Sequence, residues 1–120
     1  MGLFDFFRRS SKSRTHSIYL TDECVTHERA DGTRETLRWD QLEEVGIVTT
    51  ADGPFTEDVY WVLLGPDRRT GCAIPAFASG MDQLIARLQQ LPDFDNDAVI
   101  RAMGSTTEAR FQCWTKLRPD

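Results

Sequence analysis

Apolar and polar positions alternate with a period of two over much of the stretch from position 16 to 77, and a helical period takes over afterwards. Two runs rich in β-branched and aromatic residues, 45–50 and 59–64, flank a polar loop, 51–58, that holds the breaker Asp52-Gly53-Pro54. This is the pattern of a long hairpin. The second run, Val-Tyr-Trp-Val-Leu-Leu, has no strongly polar residue. Both of its faces are therefore expected to be covered, as in a central strand.

Upstream of this hairpin, Ile18 and Leu20 share one face of a first strand, 17–21, which ends at the turn Asp22-Glu23. Residues 24–29 and 34–39 read as a second and third strand around Asp31-Gly32, where glycine meets the positive φ of a tight hairpin turn. One turn over 40–44 leads into the central hairpin. Beyond it, Gly65-Pro66-Asp67 makes a turn, and 71–77 reads as a sixth short strand.

Helices are expected only after this meander. Met81, Leu84, Ile85, Leu88 and Leu91 form one apolar stripe, with Ser79 as the expected N-cap and Asp82 completing an acidic capping box. Pro92 ends that helix. A second helix is expected from Asp95 as N-cap to about Met103, with Asp97 in its first turn, Phe94 and Val99 as a hydrophobic staple, and Gly104 as its stop. Residues 110–114 alternate enough for a last short strand or an extended cap on the core.

Strands followed by helices indicate an α+β domain. The expected form is a bent antiparallel sheet of six to seven strands, a partly open barrel closed by an amphipathic helix, with two C-terminal helices. The strings Tyr19-Leu20-Thr21-Asp22, Trp39-Asp40-Gln41-Leu42-Glu43-Glu44-Val45, Gly53-Pro54-Phe55, Asp58-Val59-Tyr60-Trp61-Val62-Leu63, Ile74-Pro75 and Phe94-Asp95-Asn96 carry a resemblance. Across roughly 17–115 the chain resembles a group of small uncharacterised bacterial proteins with a pleckstrin-homology-like (PH-like) domain. The resemblance implies the partly open barrel and no particular activity. Where phosphoinositide-binding members of the wider class carry Lys and Arg between the first two strands, this chain has Asp22-Glu23, which argues against that ligand.

Charge divides the chain in two. Residues 1–14 hold Arg8, Arg9, Lys12 and Arg14 against Asp5, whereas the remaining 106 residues hold 10 basic and 18 acidic groups, so the overall −5 is a basic tail on an acidic body. The expected organisation is a flexible tail, 1–14, and a single domain, 15–120. An acidic body repels phosphate backbones, so no nucleic-acid partner is expected. In the tail, Leu3, Phe4, Phe6 and Phe7 precede the basic residues, and positions 3, 4 and 7 share a face on a helix. One reading is a membrane contact in which Leu3, Phe4 and Phe7 enter the headgroup layer while Arg8, Arg9, Lys12 and Arg14 meet anionic lipid. The other is a frayed tail whose phenylalanines pack on the domain or on a neighbour. The order of apolar and basic residues is the reverse of a secretory signal, and no apolar run approaches a membrane span, so a bacterial cytoplasmic location is expected, with peripheral contact at the inner membrane surface.

The residue types that carry chemistry are scattered. Cys24, Cys72 and Cys113 are odd in number and lack metal-binding spacing, so neither disulfides nor zinc is indicated, and Cys24 and Cys72, within strand-like runs, are expected to be buried structural thiols. His16 and His27 are expected at partly exposed, solvent-facing strand positions, with Cys24 on the opposite face from His27. Asp93, Asp95 and Asp97 resemble half of a calcium loop, but helix capping accounts for the last two. With no complete catalytic set and no phosphate cradle, the chain is expected to be neither an enzyme nor a cofactor or metal binder.

What remains is the loop 51–58. Long loops on a rigid sheet are disproportionately functional, and Phe55 among Asp52, Glu57 and Asp58 reads either as the anchor of an acidic contact surface or as a plug over the open barrel. The leading expectation is a non-catalytic protein-interaction module with a protein partner, tethered by its tail. The alternatives are an immunity-type or inhibitor protein that covers a basic toxin or enzyme with its acidic face, and a small-barrel enzyme.

Overall fold

In the computed structural model, which describes residues 16–29, 31–50, 59–66, 70–105 and 108–116, the alternating segments form two antiparallel sheets. The first has the order β1-β2-β3, from His16–Leu20, Cys24–Arg29 and Arg34–Arg38. The second has the order β6-β5-β4-β7, from Gly71–Pro75, Val59–Leu64, Glu44–Thr49 and Ala109–Thr115. The helices are α1, Met81–Leu88, and α2, Asn96–Met103. The α+β class is as expected. The single sheet of six to seven strands is not: the described strands divide three and four, and they form no closed barrel.

The break falls at a 3-10 turn, Trp39–Gln41. Trp39 is pinned by its indole Nε1, which donates to Thr21 O at 2.9 Å, and by the Arg87 guanidinium 4.4 Å from its ring centre. The chain then turns away from β3. Glu43 N donates to Leu64 O at 2.8 Å, which starts β4 on β5, and Lys116 N donates to Glu43 O at 2.8 Å, which brings β7 to the other edge of β4. The last segment is thus a full strand of seven residues, not a cap. As expected, β5 is an inner strand, buried from Tyr60 to Leu64.

One apolar core lies between the layers. Val25 and Leu37 come from the first sheet, Ile47, Trp61 and Leu63 from the second, and Leu84, Leu88, Ala98 and Ala102 from the helices. Each large side chain withdrawn from water contributes about 1.5 to 3 kcal/mol. The α1 stripe holds as expected, with Met81, Leu84 and Leu88 buried and Ile85 and Leu91 partly so. Its cap does not. Ser79 is occupied by β1, since its N–H donates to His16 O at 2.9 Å and its carbonyl accepts from Ile18 N at 2.8 Å, and α1 starts from Gly80 at φ 94°. The second helix begins as expected, with Asp95 Oδ1 accepting from Ala98 N at 3.0 Å, and it ends at Gly104. The β2–β3 hairpin turns at Asp31-Gly32, with Gly32 at φ 88° and Asp31 Oδ1 accepting from Thr33 N at 3.0 Å and Thr33 Oγ1 at 2.7 Å.

Candidate functional site

Strand alternation puts His16 on the same face of β1 as Ile18, puts His27 and Arg29 on the same face of β2 as Val25, and puts Glu35 on the same face of β3 as Leu37. That is the core face. The register sets His16 opposite Arg29 and His27 opposite Glu35. Four polar side chains from three strands therefore meet at one end of the core.

They form a continuous chain. Arg29 Nη2 lies 2.7 Å from Glu35 Oε2, Glu35 Oε1 lies 3.1 Å from His27 Nδ1, and His27 Nε2 lies 2.8 Å from His16 Nδ1. A carboxylate that faces a guanidinium is an acceptor, so His27 donates its Nδ1–H to Glu35. With His27 carrying its proton on Nδ1 alone, its Nε2 accepts from the Nδ1–H of His16. The two rings stack with centroids 5.0 Å apart, and the Phe77 ring meets His16 edge-on at 5.5 Å. Arg29 Nη1 also donates to Thr33 Oγ1 at 3.2 Å, which ties the chain to the hairpin turn.

Burial is deep. His16 is 2% and His27 0% exposed, and the side chains of Arg29 and Glu35 are 8% and 14% exposed. Both histidines thus depart from the expected solvent-facing positions. On a strand that alternates with Val25, a histidine at position 27 must face the core, and it is tolerated there because the neighbouring strand β3 supplies Glu35 directly opposite. Sequence reasoning missed this set. The signals available were the two-residue spacing of His16 from Ile18 and of His27 from Val25, and the hairpin around Asp31-Gly32, which sets Glu35 opposite His27.

The groups of this chain are bonded to one another, and the adjacent thiol is a poor nucleophile. Cys72 Sγ sits 3.8 Å from Glu35 O, and burial, followed by the Glu35 carboxylate, pushes the thiol up from its ordinary range. Cys113 is pushed up to about 11, by burial first and then by the Asp95 carboxylate. Of the two thiols expected to be buried, Cys72 is and Cys24 is only half-buried; Cys113 is buried as well. Among the described residues no group of three or more His, Cys, Asp and Glu side chains could hold a metal ion.

A second feature lies on the far face of the four-stranded sheet. Val48, Val62 and Leu64 form an apolar cluster separate from the core. Beside them is a cavity of about 280 Å³ that Glu44, Arg110 and Gln112 also line. Arg110 Nη2 lies 3.9 Å from Glu44 Oε2.

Asp52, Phe55, Glu57 and Asp58, and the tail positions Leu3, Phe4, Phe7, Arg8, Arg9, Lys12 and Arg14, lie outside the described residues. Among the described residues no helix is long and apolar enough to cross a membrane. No family model, curated protein or solved structure matches the chain.

Proposed function

We propose that the protein is a non-catalytic binding module brought to an anionic membrane surface by its N-terminal segment. The observation that carries this reading is the chain from Arg29 through Glu35 and His27 to His16, whose polar groups bond to each other on the core face of the sheet. It spends the histidines on architecture, and in doing so it fixes the root of the tail. His16 is the first described residue of β1; its ring is held by His27 and Phe77, and its carbonyl accepts from Ser79 N. A segment that leaves from so firm a point transmits position to the domain.

The charge division supports the same reading. Four cations follow Leu3, Phe4, Phe6 and Phe7, and each basic residue near an anionic surface contributes about 1 kcal/mol. The acidic body, repelled by that surface, stays off it.

Co-sedimentation with phosphatidylserine-containing vesicles tests it. The full chain should pellet with these vesicles and not with phosphatidylcholine alone, and the bound fraction should fall with salt and with charge-reversing changes at Arg8 and Arg9. Equal partitioning of the full chain and a chain lacking residues 2–14, at low salt, would remove the membrane reading.

A further inference from the structure

The chain has two histidines, and one buried contact holds both. His16 Nδ1 and His27 Nε2 are 2.8 Å apart, a separation that one proton bridges and two protons do not fit. While the contact stands, the pair therefore carries at most three protons, one between the rings and one on each outer nitrogen. Two imidazolium rings carry four. We infer that the contact is a proton-operated latch, closed at neutral pH and opened by the fourth proton, which frees β1 from β2.

What the latch holds follows from the ladder. In the three-stranded sheet β1 is an edge strand laddered to β2, and its other side carries the short bridge to Ser79. Ile18 N is turned to Ser79 O, so alternation turns the amides of Ser17 and Tyr19 toward β2. His27 is the register partner of Ile18, and His16 that of Arg29, so the ring contact runs diagonally across the same ladder. Two N–H groups aimed at each other there push the first residues of β1 off β2.

The surroundings favour opening over accommodation. Facing the pair are the Arg29 guanidinium of β2 and the Glu35 carboxylate of β3, which are bonded to each other. From β6 comes the Cys72 thiol, 3.8 Å from Glu35 O and kept neutral by burial. Beyond β6, the Phe77 ring and the Ser79 backbone lie against His16, and Asp82, the acid in the first turn of α1, is exposed. With both rings charged, the Glu35 carboxylate would stand against three cations, in a place where His16 is 2% and His27 0% exposed. Swinging β1 away returns the rings to water, which removes that imbalance.

Proton counting gives the sign. The open strand binds one proton more than the closed one, so the opening constant rises with acidity, by up to about tenfold per pH unit below the ordinary imidazole range near 6.5. Two surface carboxylates stay out of this window, since bonds from Arg34 and from Thr33 hold Glu28 and Asp31 below their ordinary range. The latch does not depend on the membrane reading above.

Amide hydrogen exchange of the full chain tests it, read by NMR from about pH 7.5 to about pH 5 and corrected for the intrinsic rate. Ser17 and Tyr19 should lose protection by about tenfold per pH unit in the lower half of that range, while Trp61, on the inner strand β5, keeps its protection. In His16→Gln the side-chain amide can donate to His27 Nε2 or, flipped, accept from it, so the contact survives protonation and the slope should disappear. A flat profile in the unaltered chain overturns the inference. So does equal loss at Trp61, which is global unfolding, and so does a slope that persists in His16→Gln, which places the proton elsewhere. Should His16→Gln not fold, the ring nitrogen shifts of the unaltered chain decide. Uptake of the pair's last proton in step with the loss of protection at Ser17 and Tyr19 supports the latch, and uptake with their protection intact overturns it.

Discussion

His16 and His27 lie ring against ring in the core, with Nδ1 of the first 2.8 Å from Nε2 of the second, although neither is near the other in sequence. At that separation one nitrogen donates and the other accepts, so the contact holds one proton. Glu35 fixes the direction by accepting from the far nitrogen of His27. Three strands are thereby joined through side chains as well as through their ladders, and β1, an edge strand, gains a side-chain anchor at the end from which the tail leaves.

The chain should behave as a unit. Glu35→Ala removes the acceptor for His27 and the counter-charge for Arg29, whose side chain is 8% exposed. A loss of about 3 to 5 kcal/mol is expected, because an uncompensated buried charge remains. The double variant Arg29→Met, Glu35→Leu should recover much of that loss, since it leaves no orphaned charge. Urea denaturation of the three proteins checks this; equal costs for the single and the double variant would show that the pair is not coupled.

Element identity was legible in the sequence, and strand partnership was not. The limits of β2 and β5, the turn at Gly32 and the Asp95 cap depend on neighbours within a few residues, and these were read correctly. The division into two sheets depends on β4 pairing with β7, for example Val48 with Arg110, across some sixty residues, and no local pattern encodes that choice. The buried polar chain was missed differently. Alternation placed His27 on the core face, but a histidine there looks improbable until Glu35 is set opposite it across the Asp31-Gly32 hairpin.

The register of α1 makes a second prediction. Leu88 is fully buried in the core, whereas Gln89 is exposed and its side-chain Nε2 donates to Asn96 Oδ1 at the surface, 3.0 Å away. Leu88→Ala should cost about 2 to 5 kcal/mol, and Gln89→Ala less than about 0.5 kcal/mol. Thermal melts of the two variants check the difference, and equal shifts would contradict the packing of this face.

The thiols make a third. Cys113 is raised from its ordinary 9.0 to about 11, so folding favours its neutral form. That contribution to stability is fully present below about pH 9 and is lost as the pH rises toward about 11. Cys72 is shifted in the same direction by burial. At mildly alkaline pH, iodoacetamide should therefore label Cys24, the half-buried thiol, well before Cys72 and Cys113. Peptide mapping by mass spectrometry reads the order, and equal labelling of all three in the native chain would mean that the two inner thiols open to solvent.

The junction between β1 and α1 turns on one glycine. Gly80 sits at φ 94°, a left-handed conformation that costs a residue with a Cβ about 1 to 2 kcal/mol. A Cβ there would also stand 2.9 Å from Ile18 O and 3.3 Å from Ile18 Cβ. Ile18 cannot easily yield, because its own N–H is bonded to Ser79 O and its side chain is in the core. Gly80→Ala should therefore cost more than the backbone strain alone, about 2 to 4 kcal/mol. Gly104 is the control: its φ is −92°, and the nearest atoms to an added Cβ are 3.8 Å away. Gly104→Ala should be neutral or stabilise by up to about 1 kcal/mol, by restricting the unfolded chain. Chemical denaturation of both variants decides the matter. If Gly80→Ala were as mild as Gly104→Ala, the clamp of β1 against the start of α1 would be looser than its hydrogen bonds imply, and the firm root assigned to the N-terminal segment would fall with it.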